Sequence, residues 1–165
     1  MAKAKTLNDL FHDTLKDIYF AEKKILTALP KMAKAAQSDE LKAAFEKHET
    51  ETEGQIERLE AVFEEIGESP RGKNCPAIIG IIEEGQEIIK EFKGTPALDA
   101  GLVSAAQAVE HYEIARYGTL KTWAGELGLR NSVKLLDATL KEEKNTDASL
   151  SQLAESVVNQ EAEAA

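Results

Sequence analysis

The sequence has little of what stabilises a secreted or a membrane protein. Its single cysteine, Cys75, allows no disulfide within the chain, which favours a reducing compartment. No apolar run approaches the roughly 20 residues needed to cross a membrane, and the start, MAKAKTLNDLF, lacks the apolar core of a signal peptide. We therefore expect a cytoplasmic protein with no membrane partner.

Helix-breaking residues, aromatic residues and positive charge are also scarce. Four prolines and ten glycines interrupt 165 residues, and aromatic residues make up 5%. Twenty lysines and arginines stand against 30 aspartates and glutamates, which gives a net charge of −10. Because the basic residues form no continuous patch on so acidic a chain, the sequence excludes nucleic acid as a partner. Ala, Glu, Leu and Lys dominate, and these are strong helix formers.

Hydrophobic periodicity predicts two pairs of long helices with a shorter helix between the pairs. Thr6 is the predicted cap of the first helix, and Thr95-Pro96 is the predicted start of the third long helix. Cys75-Pro76 opens the short helix, which extends to about Phe92. The predicted spans of the long helices are 6–36, 39–66, 96–127 and 129–160.

Loop lengths then predict how these helices are arranged. The tight turns near Ser38 and Gly128 make each pair of long helices antiparallel, and a long crossover joins the pairs. The predicted fold is all-α, a ferritin-like four-helix bundle with an additional short helix in the crossover connection. We expect a single domain over residues 1–165, with its core at 6–160 and a short tail at each end.

Acidic residues interrupt the apolar faces of these helices near their midpoints. Glu22 follows Ile18 on one such face, and Glu143 follows Leu140 on another. A buried carboxylate is costly unless it is paired, protonated or bound to a metal. Because the midpoints of aligned antiparallel helices lie at one level, these acids should converge. The inward polar residues are Glu22, His48, Thr52, Gln55, Glu110, Glu113, Glu143 and Asp147, with Glu51 beside them.

Carboxylate-rich clusters of this kind bind iron or manganese in preference to copper or thiolate-bound zinc. The predicted cofactor is therefore a pair of Fe or Mn ions bridged by carboxylates. Tyr117, Tyr19 and Gln55 are predicted to support the ligands, although the tyrosines could equally be packing residues with satisfied hydroxyls. His48 could be a ligand or a satisfied core histidine. The predicted ligands are Glu22, Glu51, Glu110, Glu113 and Glu143, completed by Asp147, His48 or Gln55.

Four segments resemble the YciE/YciF family of bacterial ferritin-like proteins: DIYFAEKKIL, GQIERLEAVF, AAQAVEHYEIARYGTL and LKEEKNTD. They occur in the same order and at similar separations, and the resemblance extends from about Thr6 to Val158. It implies a ferritin-like fold, packing as a homodimer, a relation to rubrerythrins and bacterioferritins, and an association with stress responses.

The ferritin-like pattern also implies particular ligands, and the sequence departs from them. The pattern has a glutamate followed three residues later by histidine on the second and fourth long helices. Glu51 is followed at that spacing by Gly54, and Glu143 by Thr146. Gln55 or His48 could replace the first missing histidine. The centre would thus have few or no nitrogen ligands, unlike that of a rubrerythrin-like peroxidase.

Two functional hypotheses follow. The first is a di-metal protein that handles iron, dioxygen or peroxide in stress protection, with ferroxidase- or peroxidase-like activity. The second is a non-enzymatic helical dimer, a structural or interaction protein whose inner acids are protonated or paired. A storage cage of many subunits is a third, weaker alternative.

Overall fold

The computed structural model describes residues 4–164, and within this range every regular element is helical. None of the described helices is long and apolar enough to cross a membrane. The prediction of an all-α chain with a short helix between two long pairs is confirmed. The elements are α1 (Leu7–Ala35), α2 (Asp39–Glu65), α3 (Pro76–Glu91), α4 (Leu98–Glu126), α5 (Arg130–Leu153), a π-helical segment (Ala154–Val158) and α6 (Asn159–Glu163).

The four long helices form a bundle in which neighbouring helices are antiparallel. Helix α1 packs against α2 and α4, and α5 packs against the same two helices from the opposite corner. The direction follows from contacts such as Tyr19, early in α1, with Glu60, late in α2. Helix α3 lies in the crossover from α2 to α4 and covers the groove between α1 and α4. The predicted bundle with a crossover helix is confirmed.

Local sequence signals set most of the helix ends. Thr6 and Asp9 form the predicted capping box at the start of α1. Gly67 and Gly128 follow the ends of α2 and α4 with φ angles of 72° and 73°, a conformation that other residues rarely adopt. Cys75 caps α3 through an Ile78 N–H to Sγ contact of 3.5 Å, which agrees with the predicted start of this helix at Cys75-Pro76.

The predicted start of α4 is wrong by two residues. The hydroxyl of Thr95 donates a hydrogen bond to the carbonyl of Phe92 at 2.8 Å, so it closes a turn and does not cap a helix. Helix α4 begins at Leu98 without any side-chain cap. Asp99 in its first turn instead accepts hydrogen bonds from the backbone N–H groups of Gln37 and Ser38, at 2.8 and 2.7 Å. A long-range contact therefore ties the α1–α2 turn to α4.

Close packing holds α3 against the bundle. A Cβ atom added to Gly101 would lie 2.6 Å from Cγ2 of Ile88, so only glycine allows α3 to approach α4 this closely. Ile78 of α3 is fully buried, and Trp123 near the end of α4 is partly buried against the core. The bundle buries the inward polar residues near the midpoints of its four long helices.

Candidate metal centre

Four glutamates from three helices meet inside the bundle. Glu22 comes from α1, Glu110 and Glu113 from α4, and Glu143 from α5, and each is at most 1% exposed. They lie on the apolar faces of their helices, so the packing that buries the leucines and isoleucines buries them as well. His48 of α2 is 3% exposed and completes the group. We refer to these five residues as the carboxylate centre.

The distances within the carboxylate centre suit a shared ligand. His48, Glu110, Glu113 and Glu143 each offer one nitrogen or oxygen atom, and these four atoms lie within 4.8 Å of one another. Nε2 of His48 is 3.2 Å from Oε1 of Glu110. Glu22 reaches the same level from α1, where its charge acts on Glu113. Carboxylate oxygen and imidazole nitrogen are both ligands for iron and manganese.

Many polar atoms of the carboxylate centre have no hydrogen-bond partner within the described chain. Buried polar atoms in folded proteins are almost always paired, so each exception requires an explanation. The unpaired atoms are Oε2 of Glu22, Oε2 of Glu110, both carboxyl oxygens of Glu113 and Oε2 of Glu143. The ring nitrogens of His48 lie 3.2 Å from Oε1 of Glu110 and 3.9 Å from Oε2 of Glu51.

Burial raises the pKa of all four glutamates, and mutual repulsion adds to the shift in Glu22, Glu110 and Glu113. Burial, followed by the charges of Glu143, Glu22 and Glu110, raises the pKa of Glu113 well above its usual range. Burial also raises the pKa of Glu22 to about 8 and that of Glu110 to about 11, with the charge on Glu143 contributing in both. The pKa of Glu143 is raised by burial as well. Among the described residues, no lysine or arginine forms an ion pair with these carboxyls.

Hydrogen bonds from neighbouring residues hold two of the carboxyls in place. The hydroxyl of Tyr117, which is fully buried, donates to Oε1 of Glu22. The side-chain amide of Gln55 donates to Oε1 of Glu143 and, at 3.2 Å, to Glu142. Both residues therefore lie where the sequence predicts supporting residues. Because each bond fixes one oxygen of a carboxyl, the other oxygen remains directed toward the centre.

Three further predicted site residues lie outside the carboxylate centre. The carboxylate of Glu51 is 2.8 Å from the ammonium of Lys47. Asp147 accepts a hydrogen bond from Gln107 at 3.1 Å and lies 3.2 Å from Nε2 of His111. Tyr19 donates to Glu60 at 2.7 Å, so its hydroxyl supports no residue of the centre. Glu51 and Asp147 are therefore outside the group of four side chains whose ligand atoms meet, although Oε2 of Glu51 lies 3.9 Å from Nδ1 of His48.

Helix geometry explains the position of Glu51. Successive residues of an α-helix differ by about 100° around the axis, so only one of two neighbours can face the core. Thr52 takes that place with no exposed surface, and its hydroxyl donates to the carbonyl of His48 at 2.8 Å. Glu51 is left at the edge, where His48 and then Lys47 lower its pKa to about 2.

Sequence reasoning missed a network of polar contacts next to Gln55, between α2 and α5. Arg58 donates two hydrogen bonds to Glu142, at 2.7 and 2.6 Å, and one to Thr139 at 3.1 Å. Glu142 in turn accepts from Gln55, so the ion pair and the carboxylate centre share one amide. A signal was present, since Arg58 follows Gln55 at the spacing of one helical turn and therefore shares its face of α2.

Comparison with known proteins supplies the relationship. The family described as "Domain of unknown function (DUF892)" matches residues 6–163. The chain belongs to this family. It is 48% identical over 160 residues to protein YciF of Escherichia coli strain K12, covering 96% of each chain. The resemblance to the YciE/YciF family predicted from the four segments is thereby confirmed.

Solved structures agree with this DUF892 assignment. The crystal structure of the E. coli stress protein YciF matches with a TM-score of 0.90 at 46% identity, covering 94% of this chain and 99% of that one. YcfI of Rhodopseudomonas palustris, described as a candidate structural protein, matches with a TM-score of 0.87 at 47% identity, covering 91% of this chain and 96% of that one. A Xanthomonas campestris protein at 23% identity, with a TM-score of 0.72 over 93% of this chain and 94% of that one, shares the fold.

Proposed function

We propose that the carboxylate centre binds two iron or manganese ions and that this DUF892 protein handles iron, dioxygen or peroxide in stress protection. The observation that carries the proposal is a set of buried carboxyl oxygens: five of them, from Glu22, Glu110, Glu113 and Glu143, accept no hydrogen bond from the described residues, and His48 lies 3.2 Å from Glu110. All of them are atoms that bind metals. Without a ligand, these carboxyls are satisfied only by taking up protons and hydrogen-bonding to one another, as Glu110 does with Glu143 and Glu113 with Glu22.

Charge balance favours two divalent ions. Four ionised carboxylates carry four negative charges, and two divalent cations carry the same positive charge. Without cations the four glutamates must take up protons, because like charges at this separation in a buried site cannot all remain ionised. Arg58, whose charge interacts with that of Glu143, is already paired with Glu142. Two divalent metal ions, the pair implied by the ferritin-like resemblance, would therefore neutralise the four carboxylates of the centre.

The residues around the centre suit redox chemistry at a fixed position. The carboxylate centre would hold the metal ions, and these would supply electron transfer to an oxidant such as dioxygen or peroxide. The hydrogen bonds from Tyr117 and Gln55 orient Glu22 and Glu143, and orientation by such partners tunes a metal site. Burial of all four carboxyls keeps bulk water away from the ligands. The role in stress protection rests on the similarity to the stress protein YciF.

The second candidate function is structural. YcfI, at 47% identity, is described as a candidate structural protein, and the family resemblance implies a homodimer. In that function the inner glutamates would stay protonated, and the protein would have no use for metal. The two functions differ in their response to metal, since a ligand that binds the native state raises its stability and an unbound ion does not.

The test compares metal binding by the wild-type protein and by two alanine variants. We expect iron or manganese in the protein as purified without added metal, measured by elemental analysis, and a higher melting temperature with Mn(II) than with a chelator. Glu22→Ala should abolish bound metal while the far-UV circular dichroism stays helical. Glu57→Ala, which removes an exposed acid of α2, is the matched control and should bind metal normally. Equal melting temperatures with Mn(II) and chelator would support the structural function instead.

A further inference from the structure

An apolar pocket runs from the surface to the carboxylate centre. The four long helices and the crossover helix α3 all line it, and its inner end includes His48 and Glu110. Its outer part includes Lys31 and Gln86, which are both exposed, so the pocket opens to solvent. The pocket lies beneath α3, the helix that covers the groove between α1 and α4.

Small residues create the pocket and apolar residues form its walls. Gly85 of α3 faces Ala105 of α4, and a Cβ atom on Gly85 would meet that of Ala105 at 3.5 Å. Ala28, Ala44 and Ala106 leave space on the other sides. Between these small residues the walls consist of larger apolar side chains, namely Ile25, Leu29, Phe45, Ile81, Ile82 and Val109. A path with such walls offers few hydrogen bonds to a molecule moving through it.

Size and polarity together restrict the occupant. The pocket has a volume of about 40 Å³. A cavity needs a volume of roughly 10–15 Å³ to hold one water molecule, so this pocket holds a molecule of only a few atoms. Small apolar cavities tend to stay dry and to accept apolar gases. A polar molecule of equal size would lose its hydrogen bonds with water on entry and regain few of them.

We propose that this pocket admits and holds a small apolar molecule of the size and polarity of dioxygen, and delivers it to His48 and Glu110. The binding step concerns the apolar walls alone and therefore takes place in metal-free protein. The consequence for reactivity rests on the proposed function: if metal is bound, dioxygen reaches it through the pocket. His48 and Glu110 mark the inner end, where the walls change from apolar to polar.

The experiment uses xenon as an apolar probe of the metal-free protein. Methyl groups of Ile81, Ile82 and Val109 should shift in nuclear magnetic resonance spectra recorded under xenon pressure, because their side chains line the pocket. Dissolved dioxygen, which is paramagnetic, should enhance the relaxation of the same methyl groups. Shifts spread over exposed methyl groups such as those of Leu10, without saturation at the pocket, would overturn the proposal.

Two variants on α3 form a matched pair. Gly85→Leu places a side chain in the pocket and should abolish the xenon shifts. Gly80→Leu makes the same change on the same helix at a position outside the pocket lining with open space around its Cβ, and should leave the shifts intact. If Gly85→Leu fails to fold, Ala28→Leu narrows the pocket from α1 and takes its place. Xenon shifts in either pocket variant that equal those of the wild type would contradict the proposal.

The metal-loaded protein separates this proposal from the proposed function. In Fe(II)-loaded protein, Gly85→Leu should slow oxidation by dioxygen relative to Gly80→Leu. If the protein binds xenon in the pocket but binds no metal, the pocket stands and the proposed function fails. If it binds metal but xenon does not saturate in the pocket, the proposed function stands and the pocket proposal fails.

Discussion

The two antiparallel hairpins of the bundle, α1–α2 and α4–α5, present inward polar residues at the same level but with different charge. Glu22 and Thr52 are separated along the chain by as many residues as Glu113 and Glu143. All four are fully buried. The α4–α5 hairpin contributes a carboxylate at both positions, and Glu110 as well. The α1–α2 hairpin contributes one carboxylate and a hydroxyl.

This difference shows that the bundle sets the positions of the inward residues but does not require a carboxylate at each of them. Thr52 could be replaced by an acid at the same height, as Glu143 shows in the other hairpin. On the α1–α2 side, Gln55 donates to Glu143, so it holds a carboxylate of the opposite hairpin and adds no negative charge. One hairpin supplies most of the charge and the other supplies neutral groups that orient it.

The largest expected effect comes from removing one negative charge from the α4–α5 hairpin. Glu113→Gln keeps the size of a side chain whose two oxygens are both unpaired and removes its charge. We expect the affinity for Mn(II) to fall by at least about 100-fold, because a ligand matters no less than the outer groups that orient it. Titration with Mn(II), followed by electron paramagnetic resonance, measures the change. Glu126→Gln, at an exposed position of the same helix, is the control, and equal affinities in the two variants would refute the prediction.

A smaller effect should follow from making the two hairpins alike. Thr52→Glu adds a fifth buried carboxyl beside the centre, which should lower the free energy of unfolding of the metal-free protein by about 1–3 kcal/mol. Mn(II) should then restore more stability than it adds to the wild type. Urea denaturation with Mn(II) and with chelator measures both values. Thr52→Val, which removes the hydroxyl without adding charge, is the control and should show no such gain from Mn(II).

The smallest effect concerns an acid on the outside of the α4–α5 hairpin. The ammonium groups of Lys121 and Lys141, at 2.6 and 2.7 Å, lower the pKa of Asp137 to about 2. Because the pKa of Asp137 is lower in the folded than in the unfolded chain, its ionised form stabilises the fold at pH values above the unfolded-state pKa. This stabilisation is lost as the pH falls toward 2 and Asp137 takes up a proton. Asp137→Asn should therefore lower the melting temperature slightly at neutral pH and leave it unchanged near pH 2. A difference that persists in acid would contradict this assignment.

Most of the fold could be predicted because its signals are local. Apolar residues repeat along each helix, and glycines and capping residues such as Thr6 and Gly128 lie at the ends. The error at Thr95 arose where a long-range contact replaced a local cap. Asp99 bonds the α1–α2 turn, and no pattern within α4 reveals that partner.

The candidate site was predictable to the extent that it lies on a narrow apolar face. Glu22, Glu113 and Glu143 each have an apolar residue three or four positions before them on the same face, namely Ile18, Val109 and Leu140, and the structure brings the three glutamates together. Glu51 and Asp147 lie at the edges of their faces. At an edge, a few degrees of helix rotation decide whether a side chain faces the core or a neighbouring helix, and periodicity does not resolve that rotation.

The sequence by itself determined the helices, their order and the level at which the polar residues meet, because these depend on spacing along one chain segment. Only the tertiary structure decided the partners: Gln55 with Glu143, Arg58 with Glu142, and Asp147 with Gln107. It also decided that Thr52 and not Glu51 is fully buried, and that small residues leave an apolar pocket beneath α3. Such contacts depend on the rotation and height of one helix against another, which is a property of packing between segments distant in sequence.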